Sequence, residues 1–308
     1  MISQLVIGSR GSKLALVQAE WARNQLALLN PGSDIRIEII STSGDVKTDP
    51  LSVIGGKGVF TKELEDALLD GRIDLAVHSL KDLPTIIPDG LALAAIAERE
   101  DPRDALVLPP ASEVLCGSLV DLLPRSVVGT SSPRRLAQLK HLRPDIEIRD
   151  LRGNVDTRLR KLDEGQYDAI ILACAGLGRL HLHDRISAAL STEQMLPAVG
   201  QGALGIETRA GDAAAIEAAR ALNHEATHTA CITERAFLRA LGGGCQLPIA
   251  GHAVAYGGLL QLDGLVASLD GKQIVRDHLS GPSEQAEDLG LRVADRLLEG
   301  GARELLDS

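Results

Sequence analysis

Short apolar runs alternate along this chain with longer stretches in which apolar residues recur every three or four positions. The short runs fall at 5–8, 35–40, 75–78, 91–96, 127–129, 146–149 and 169–173, and their length and β-branched content predict strands. The periodic stretches at 14–29, 60–69, 134–142 and 156–163 predict helices with one apolar face. Such alternation implies crossover units and largely parallel sheets, an α/β class.

The pattern also echoes itself. Ile7-Gly8-Ser9-Arg10-Gly11-Ser12 leads from a strand into a helix, and Val128-Gly129-Thr130-Ser131-Ser132-Pro133-Arg134-Arg135 does the same. Gly71-Arg72-Ile73-Asp74 and Gly165-Gln166-Tyr167-Asp168 each precede an apolar strand. Two similarly built, doubly wound α/β domains are expected. Between them, residues 98–104 are charged, contain Pro102 and lack periodicity, which reads as a linker. Residues 196–202 read as a second crossing, after which the run 203–206 returns to the first sheet; two crossings make a hinge. Farther on, a helical pattern at 225–241 ends in Gly242-Gly243-Gly244. Runs at 249–256, 259–269 and 274–279 predict short antiparallel strands, and 285–298 a closing helix. The expected division is 1–98 with 199–222, then 101–196, then a small α+β domain at 224–308.

Composition narrows the function. Aromatic residues make up 2% of the 308, so the cores must be built from Leu, Ile, Val and Ala, and a base-stacking surface is disfavoured. A net charge of -10 repels nucleic acid and anionic membranes on average, so bound anions would need clustered cations. Four cysteines (Cys116, Cys174, Cys231, Cys245) form no CxxC pair, which suits a reducing compartment. No leader or membrane span is visible, and a cytoplasmic address is expected.

Cations do cluster. Each echoed strand-to-helix turn offers hydroxyls and helix N-terminal donors together with arginine: Arg10 in one, Arg134 and Arg135 in the other. Anion binding is one reading; ordinary N-capping by Ser12 and Ser132 is the other. Arg152 ends a strand and Arg158 lies on the next helix, where ligands bind in open α/β sheets, although Asp150 and Asp156 are alternative partners. Guanidinium pairs carboxylate bidentately, so several converging arginines favour a carboxylate-rich ligand. Asp82, beside Lys81 at a strand end, can steady a developing cation or exchange a proton, or simply shape a turn before Pro84. Gly55-Gly56-Lys57-Gly58 lacks Walker A spacing and reads as a lid carrying one lysine. His224 and His228 have metal-ligand spacing but no evident third ligand, and no metal is expected. Cys245, on a loop after three glycines, is either a reactive thiol or an inert one.

At this point the residues match a family. The chain resembles the porphobilinogen deaminases, or hydroxymethylbilane synthases, from end to end. The resemblance lies in Gly8-Ser9-Arg10-Gly11-Ser12 with Gln18, Gly55-Gly56-Lys57-Gly58, and Ala76-Val77-His78-Ser79-Leu80-Lys81-Asp82-Leu83-Pro84. It continues in Glu98-Arg99-Glu100-Asp101-Pro102-Arg103-Asp104, Gly129-Thr130-Ser131-Ser132, Leu151-Arg152-Gly153-Asn154, Pro197-Ala198-Val199-Gly200-Gln201-Gly202-Ala203 and Gly243-Gly244-Cys245. It implies two domains like type II periplasmic binding proteins and a third that carries a dipyrromethane cofactor on Cys245 through a thioether. It also implies head-to-tail condensation of four porphobilinogens with loss of ammonia, giving hydroxymethylbilane. Asp82 matches the catalytic aspartate. Lys81, Thr130, Ser131, Ser132, Arg134 and Arg135 match cofactor-binding positions, and Arg10, Ser12, Gln18, Lys57, Arg152, Arg158, Arg179 and Gln201 match substrate-binding positions. A monomer is implied, with hand-off of product to uroporphyrinogen-III synthase.

The chain departs from the family pattern at Pro133, Gly242 and Asp156. Proline suits the first position of a helix, so the following arginines are expected to stay in place. Two rivals remain: a periplasmic-type binding module, which needs neither Asp82 nor Cys245, and a cysteine hydrolase, which needs a histidine base that no motif supplies.

Overall fold

The computed structural model describes residues 4–42, 61–110, 112, 117–244 and 246–307. The first half contains β1 (Gln4–Ser9), α1 (Lys13–Leu29), β2 (Asp34–Ile39), α2 (Lys62–Leu69), β3 (Leu75–Ser79) and β4 (Leu91–Ile96). There follow β5 (Asp104–Val107), β6 (Val127–Gly129), α3 (Pro133–Leu142), β7 (Glu147–Arg149), α4 (Val155–Asp163), β8 (Ala169–Ala173), α5 (Cys174–Arg179) and β9 (Ala188–Ala189). The remainder contains β10 (Leu204–Arg209), α6 (Ala213–Arg220), α7 (Glu225–Ala240), β11 (Ile249–Tyr256), β12 (Leu259–Ala267), β13 (Ile274–Pro282) and α8 (Ala286–Leu297).

The strands form two five-stranded sheets, β2-β1-β3-β10-β4 and β7-β6-β8-β5-β9, and a three-stranded antiparallel one, β11-β12-β13. In the first, β1 lies parallel to β2 and β3, while β10 runs antiparallel to both its neighbours. In the second, β6 lies parallel to β7 and β8, and β5 is the reversed strand. The sequence echo therefore reflects a shared topology. Its second half has a shared bond: Asp74 Oδ2 accepts from Val6 N (2.9 Å), and Asp168 Oδ2 accepts from Val127 N (2.7 Å). Each aspartate hooks the loop entering one parallel strand onto its neighbour.

The chain divides into two compact units, residues 1–99 with 203–231 and residues 100–202 with 232–308. Both faces of the first sheet are covered. On one, Ala19, Ala22 and Leu26 of α1 and Ala215, Ala218 and Ala219 of α6 pack on Ile7, Leu75 and Ile206. On the other, Leu64, Ala67 and Leu68 of α2 pack with Ile73 and Ala76. The second sheet is likewise sandwiched between two apolar clusters, centred on Leu106 and Val128 and on Ala105 and Ile170.

In the second unit the small antiparallel sheet closes around Phe237 of α7, which is fully buried. A Cβ at Gly251 or Gly264 would lie 3.0 Å or 2.8 Å from that ring, so bare backbone on β11 and β12 makes its slot. Burying such a side chain contributes about 1.5–3 kcal/mol. Ala250, Leu265 and Ala267 of this sheet also pack on Ala137 of α3 and on Leu196.

The charged segment read as a linker behaves differently at its end. Asp104 opens β5, pairs with Ala173 and is fully buried. A charged residue before a four-residue apolar run, Ala105-Leu106-Val107-Leu108, gave no periodic signal, because so short a strand is defined by its neighbours.

Candidate functional site

In the first unit the site builds from the carboxyl ends of β1 and β3. These strands are parallel neighbours in the register Ile7↔Leu75 and Gly8↔Ala76, so the residues after each emerge at the same edge. After β1 come Arg10, half-buried, and Ser12, whose Oγ accepts from Ala15 N (3.3 Å). The capping alternative is thus present at Ser12. After β3 a 3-10 turn over Leu80–Asp82 buries Leu80 and leaves Asp82 exposed, with Lys81 half-buried between them. The turn is pinned where Leu80 N donates to Ala203 O (3.0 Å). Gln18 is buried on α1, and its Nε2 donates to Ser79 Oγ (2.9 Å). Arg10, Ser12, Gln18, Lys81 and Asp82 therefore share one end of one sheet, where open α/β sheets bind ligands.

Below this end lies a buried ionisable group that sequence reasoning passed over. His78 Nε2 is 3.0 Å from Glu207 Oε2, joining β3 to the reversed strand β10. Burial pushes the Glu65 carboxyl up; the Glu207 charge adds to this, while Thr61 and His78 oppose it. No sequence signal marks this cluster, since its members lie far apart in the chain.

In the second unit the corresponding edge is formed by β6, β7 and β8. Thr130 is buried after β6, and Thr130 N donates to Arg149 O (3.0 Å). Ser131 Oγ donates to Leu151 O (2.6 Å), locking the loop after β6 to the loop after β7. Ser132 caps α3 by accepting from Arg135 N (3.5 Å), and Pro133 opens the helix as expected. Arg152 Nε donates to Asp150 Oδ2 (2.6 Å), the partner considered from the sequence. Arg158, on the first turn of α4, donates from Nε to Gly153 O (2.7 Å). Arg179, at the end of α5, donates from Nη2 to Gly202 O (2.6 Å). Burial pulls its pKa down to about 10, opposed by Glu100, so it remains a cation at neutral pH.

Arg134 and Arg135 do not stand open at the helix start. Both are buried against Asp104: Arg134 Nη1 donates to Oδ2 (2.7 Å) and Arg135 Nη2 to Oδ1 (2.6 Å). Arg134 Nη1 also reaches Leu196 O (2.7 Å), and Arg135 Nη1 reaches Ile171 O (3.0 Å). Arg134 Nε has no hydrogen-bond partner. Gln201 joins the cluster, donating from Nε2 to Asp104 Oδ1 (2.9 Å) and Pro102 O (2.7 Å). Sequence reasoning included Asp104 in the charged segment that carries the resemblance but gave it no role of its own.

Lys57 and Cys245 lie outside the described residues. The approach to Cys245 is nonetheless defined. Gly242 takes φ 66°, a left-handed conformation that ends α7. At Gly243 a Cβ would lie 2.5 Å from Ile249 Cδ1 and 2.6 Å from Leu238 Cδ1, so a larger residue there requires those two side chains to turn aside. Cys174 and Cys231 are buried and in no disulfide, and burial pushes the Cys174 thiol up to about 12. His224 Nδ1 meets Thr227 Oγ1 (2.8 Å) at the start of α7, and no metal-holding group of His, Cys, Asp and Glu occurs among the described residues.

Two like α/β sheets, each with arginines and a helix-capping serine after the carboxyl ends of its parallel strands, define an α/β protein with an added sheet-and-helix domain. Residues 5–217 match the family model "Porphobilinogen deaminase, dipyromethane cofactor binding domain", and residues 228–299 match "Porphobilinogen deaminase, C-terminal domain". The chain belongs to the porphobilinogen deaminase family. It is 55% identical over 305 residues to the porphobilinogen deaminase of Synechococcus sp. (strain RCC307), covering 99% of this chain and 96% of that one. It is 51% identical over 305 residues to that of Pelobacter propionicus, covering 99% and 96%. Among solved structures, a probable amino-acid ABC transporter extracellular-binding protein, ytmK from Bacillus subtilis, matches with a TM-score of 0.41 and 11% identity, covering 71% of this chain and 90% of that one. No helix among the described residues is long and apolar enough to cross a membrane.

Proposed function

We propose that named side chains in the two units divide this family's reaction between carboxylate binding and charge stabilisation. The enzyme joins four porphobilinogens head to tail with release of ammonia, giving hydroxymethylbilane, and uses a covalently held dipyrromethane. When bound, that group supplies the free pyrrole carbon to which the first substrate ring is joined. Asp82 stabilises positive charge as it develops on pyrrole N–H groups when ammonia leaves. Each pyrrole ring carries an acetate and a propionate. Arg10, Arg152, Arg158 and Arg179, with Ser12, Gln18, Gln201 and Lys57, receive those of the substrate. Lys81, Thr130, Ser131, Ser132, Arg134 and Arg135 hold the carboxylates of the dipyrromethane, and Cys245 carries it through a thioether. The donors suit such a group: they are cations and hydroxyls, and one buried guanidinium nitrogen, Arg134 Nε, lacks an acceptor.

The observation that carries the reading is the exposed Asp82 on the turn after β3, at the edge that also presents Arg10 and Ser12. The test is intact mass. The purified protein should exceed its sequence mass by two porphobilinogens less two ammonias, and Cys245→Ser should lose that excess. Cys174→Ser and Cys231→Ser should retain it. An active wild-type protein of unmodified mass would overturn the reading.

We further read residues 1–98 with 199–222, 101–196 and 224–308 as three domains, a division supported by the three sheets. The chain acts as a cytoplasmic monomer and passes its product to uroporphyrinogen-III synthase. Cys174 and Cys231, buried and in no disulfide, support a reducing compartment.

A further inference from the structure

The cluster at Asp104 holds two cations and one anion, all nine-tenths or more buried. Asp104 Oδ1 accepts from Arg135 Nη2 (2.6 Å), Arg135 Nε (3.1 Å), Arg134 Nη2 (3.3 Å) and Gln201 Nε2 (2.9 Å). Its Oδ2 accepts from Arg134 Nη1 (2.7 Å). One carboxylate therefore fixes both guanidiniums side by side. Asp104 itself is held rigidly: β5 is an interior strand of its sheet, and Asp104 O accepts from Leu190 N (2.8 Å). Two arginines less one aspartate leave the cluster one positive charge. A buried, unbalanced cation is costly, and a buried donor without an acceptor adds to that cost. Arg134 Nε is that donor. Burial alone would raise the Asp104 pKa, but the two arginine charges outweigh it and hold the carboxyl well below the ordinary aspartate range.

We propose that Asp104 is a positioning residue for the dipyrromethane-binding arginines: it aligns Arg134 and Arg135 from a fixed strand and leaves the pair one net positive charge to meet an anionic group. The proposal rests on the reading that these arginines hold the dipyrromethane. In this role Asp104 acts through the guanidiniums, on which its two oxygens are engaged. Gln201, which the sequence places among substrate-binding residues, supports the same carboxylate, with Pro102 O holding its amide in place.

The test uses full-length protein prepared without the cofactor, with its state verified by intact mass. Porphobilinogen is added, and growth of the Cys245 adduct is followed by mass over time. Misplacement of a binding group by about 1 Å can cost on the order of a hundredfold. Folded Asp104→Asn should therefore form the adduct at least about tenfold more slowly than wild type. Asp104→Glu keeps the charge but displaces it by one methylene, and should also be slowed. It carries the test if Asp104→Asn does not fold. A purely structural role would lower the thermal midpoints of cofactor-bearing and cofactor-free protein equally and leave the adduct rate of folded variants at the wild-type value. That result would overturn the proposal. Arg134→Gln separates the two readings. If it forms adduct normally, the assignment of the arginines fails. If it is slowed while both folded Asp104 variants are normal, the positioning role alone fails.

Discussion

Gln18 Nε2 donates to Ser79 Oγ at 2.9 Å, tying the first helix to the last residue of the strand that precedes Asp82. Ser79 stands three residues before Asp82, and the turn between them is pinned again by Leu80 N on Ala203 O. A carboxylate held by a braced turn is preorganised, and preorganised charge is what stabilises a cationic transition state without reorganisation.

The first expectation follows for Asp82→Asn, which keeps the shape of the side chain and removes its charge. Groups of this kind contribute about 3–4 kcal/mol, a loss of roughly a hundredfold to a thousandfold in kcat. KM for porphobilinogen should change far less, because the arginines remain. Steady-state rates at saturating porphobilinogen provide the check. A kcat within a few-fold of wild type would return Asp82 to an ordinary turn residue.

Arg152→Leu and Arg158→Leu should mainly raise KM. Each charge-assisted bond to a substrate carboxylate contributes about 1.5–3 kcal/mol, roughly tenfold to a hundredfold in kcat/KM. Arg149→Leu is the control: Arg149 is exposed and paired with Glu147 at 2.6 Å, and pairs of that kind contribute about 0–1 kcal/mol. Equal kinetics for the site variants and the control would show that Arg152 and Arg158 are surface charges only.

Gly290→Ala should destabilise the second unit. An alanine in a helix interior gains about 1 kcal/mol over glycine, but overpacking costs about 1–3 kcal/mol. Here the obstacle is backbone: the new Cβ would fall against Thr233 O and 2.9 Å from Phe237 N. Those atoms belong to α7 and cannot rotate away, so the clash prevails. Urea unfolding of the variant should show a lower midpoint; an unchanged or higher one would mean the two helices can separate without loss.

Acid should act through Asp104. Its folded pKa is depressed, so its stabilising contribution is present above the ordinary aspartate value, about 3.9, and is lost as pH falls toward the folded value. Wild-type stability should therefore drop more steeply below about pH 4 than that of Asp104→Asn, measured by urea midpoints against pH. Parallel curves would mean that the carboxylate gains nothing from its two arginines.

Much of this architecture is legible in the sequence. Period and run length located β1, β3, β6, β8 and the helices that follow β1 and β6, because a strand buried on both faces is apolar throughout and a covering helix is apolar on one stripe. The echo of Asp74 in Asp168 was visible as well, since each closes a Gly-x-x-Asp turn before an apolar run; the bond each makes to the neighbouring strand was not. Chemistry that depends on residue type and strand-end position, as with Arg10, Asp82 and Arg152, could also be read in one dimension. What the tertiary structure decided is which charges are already spent. Asp104 read as the end of a charged linker, yet it lies at the start of a buried strand and binds arginines 30 and 31 residues away. Ser12 and Ser132 prove to cap the helices they precede, and Gln201 turns toward Asp104. Partner choice among charged groups depends on burial and on distances across the fold, because removal from water decides whether a carboxylate must be paired, and neither quantity is written in local sequence.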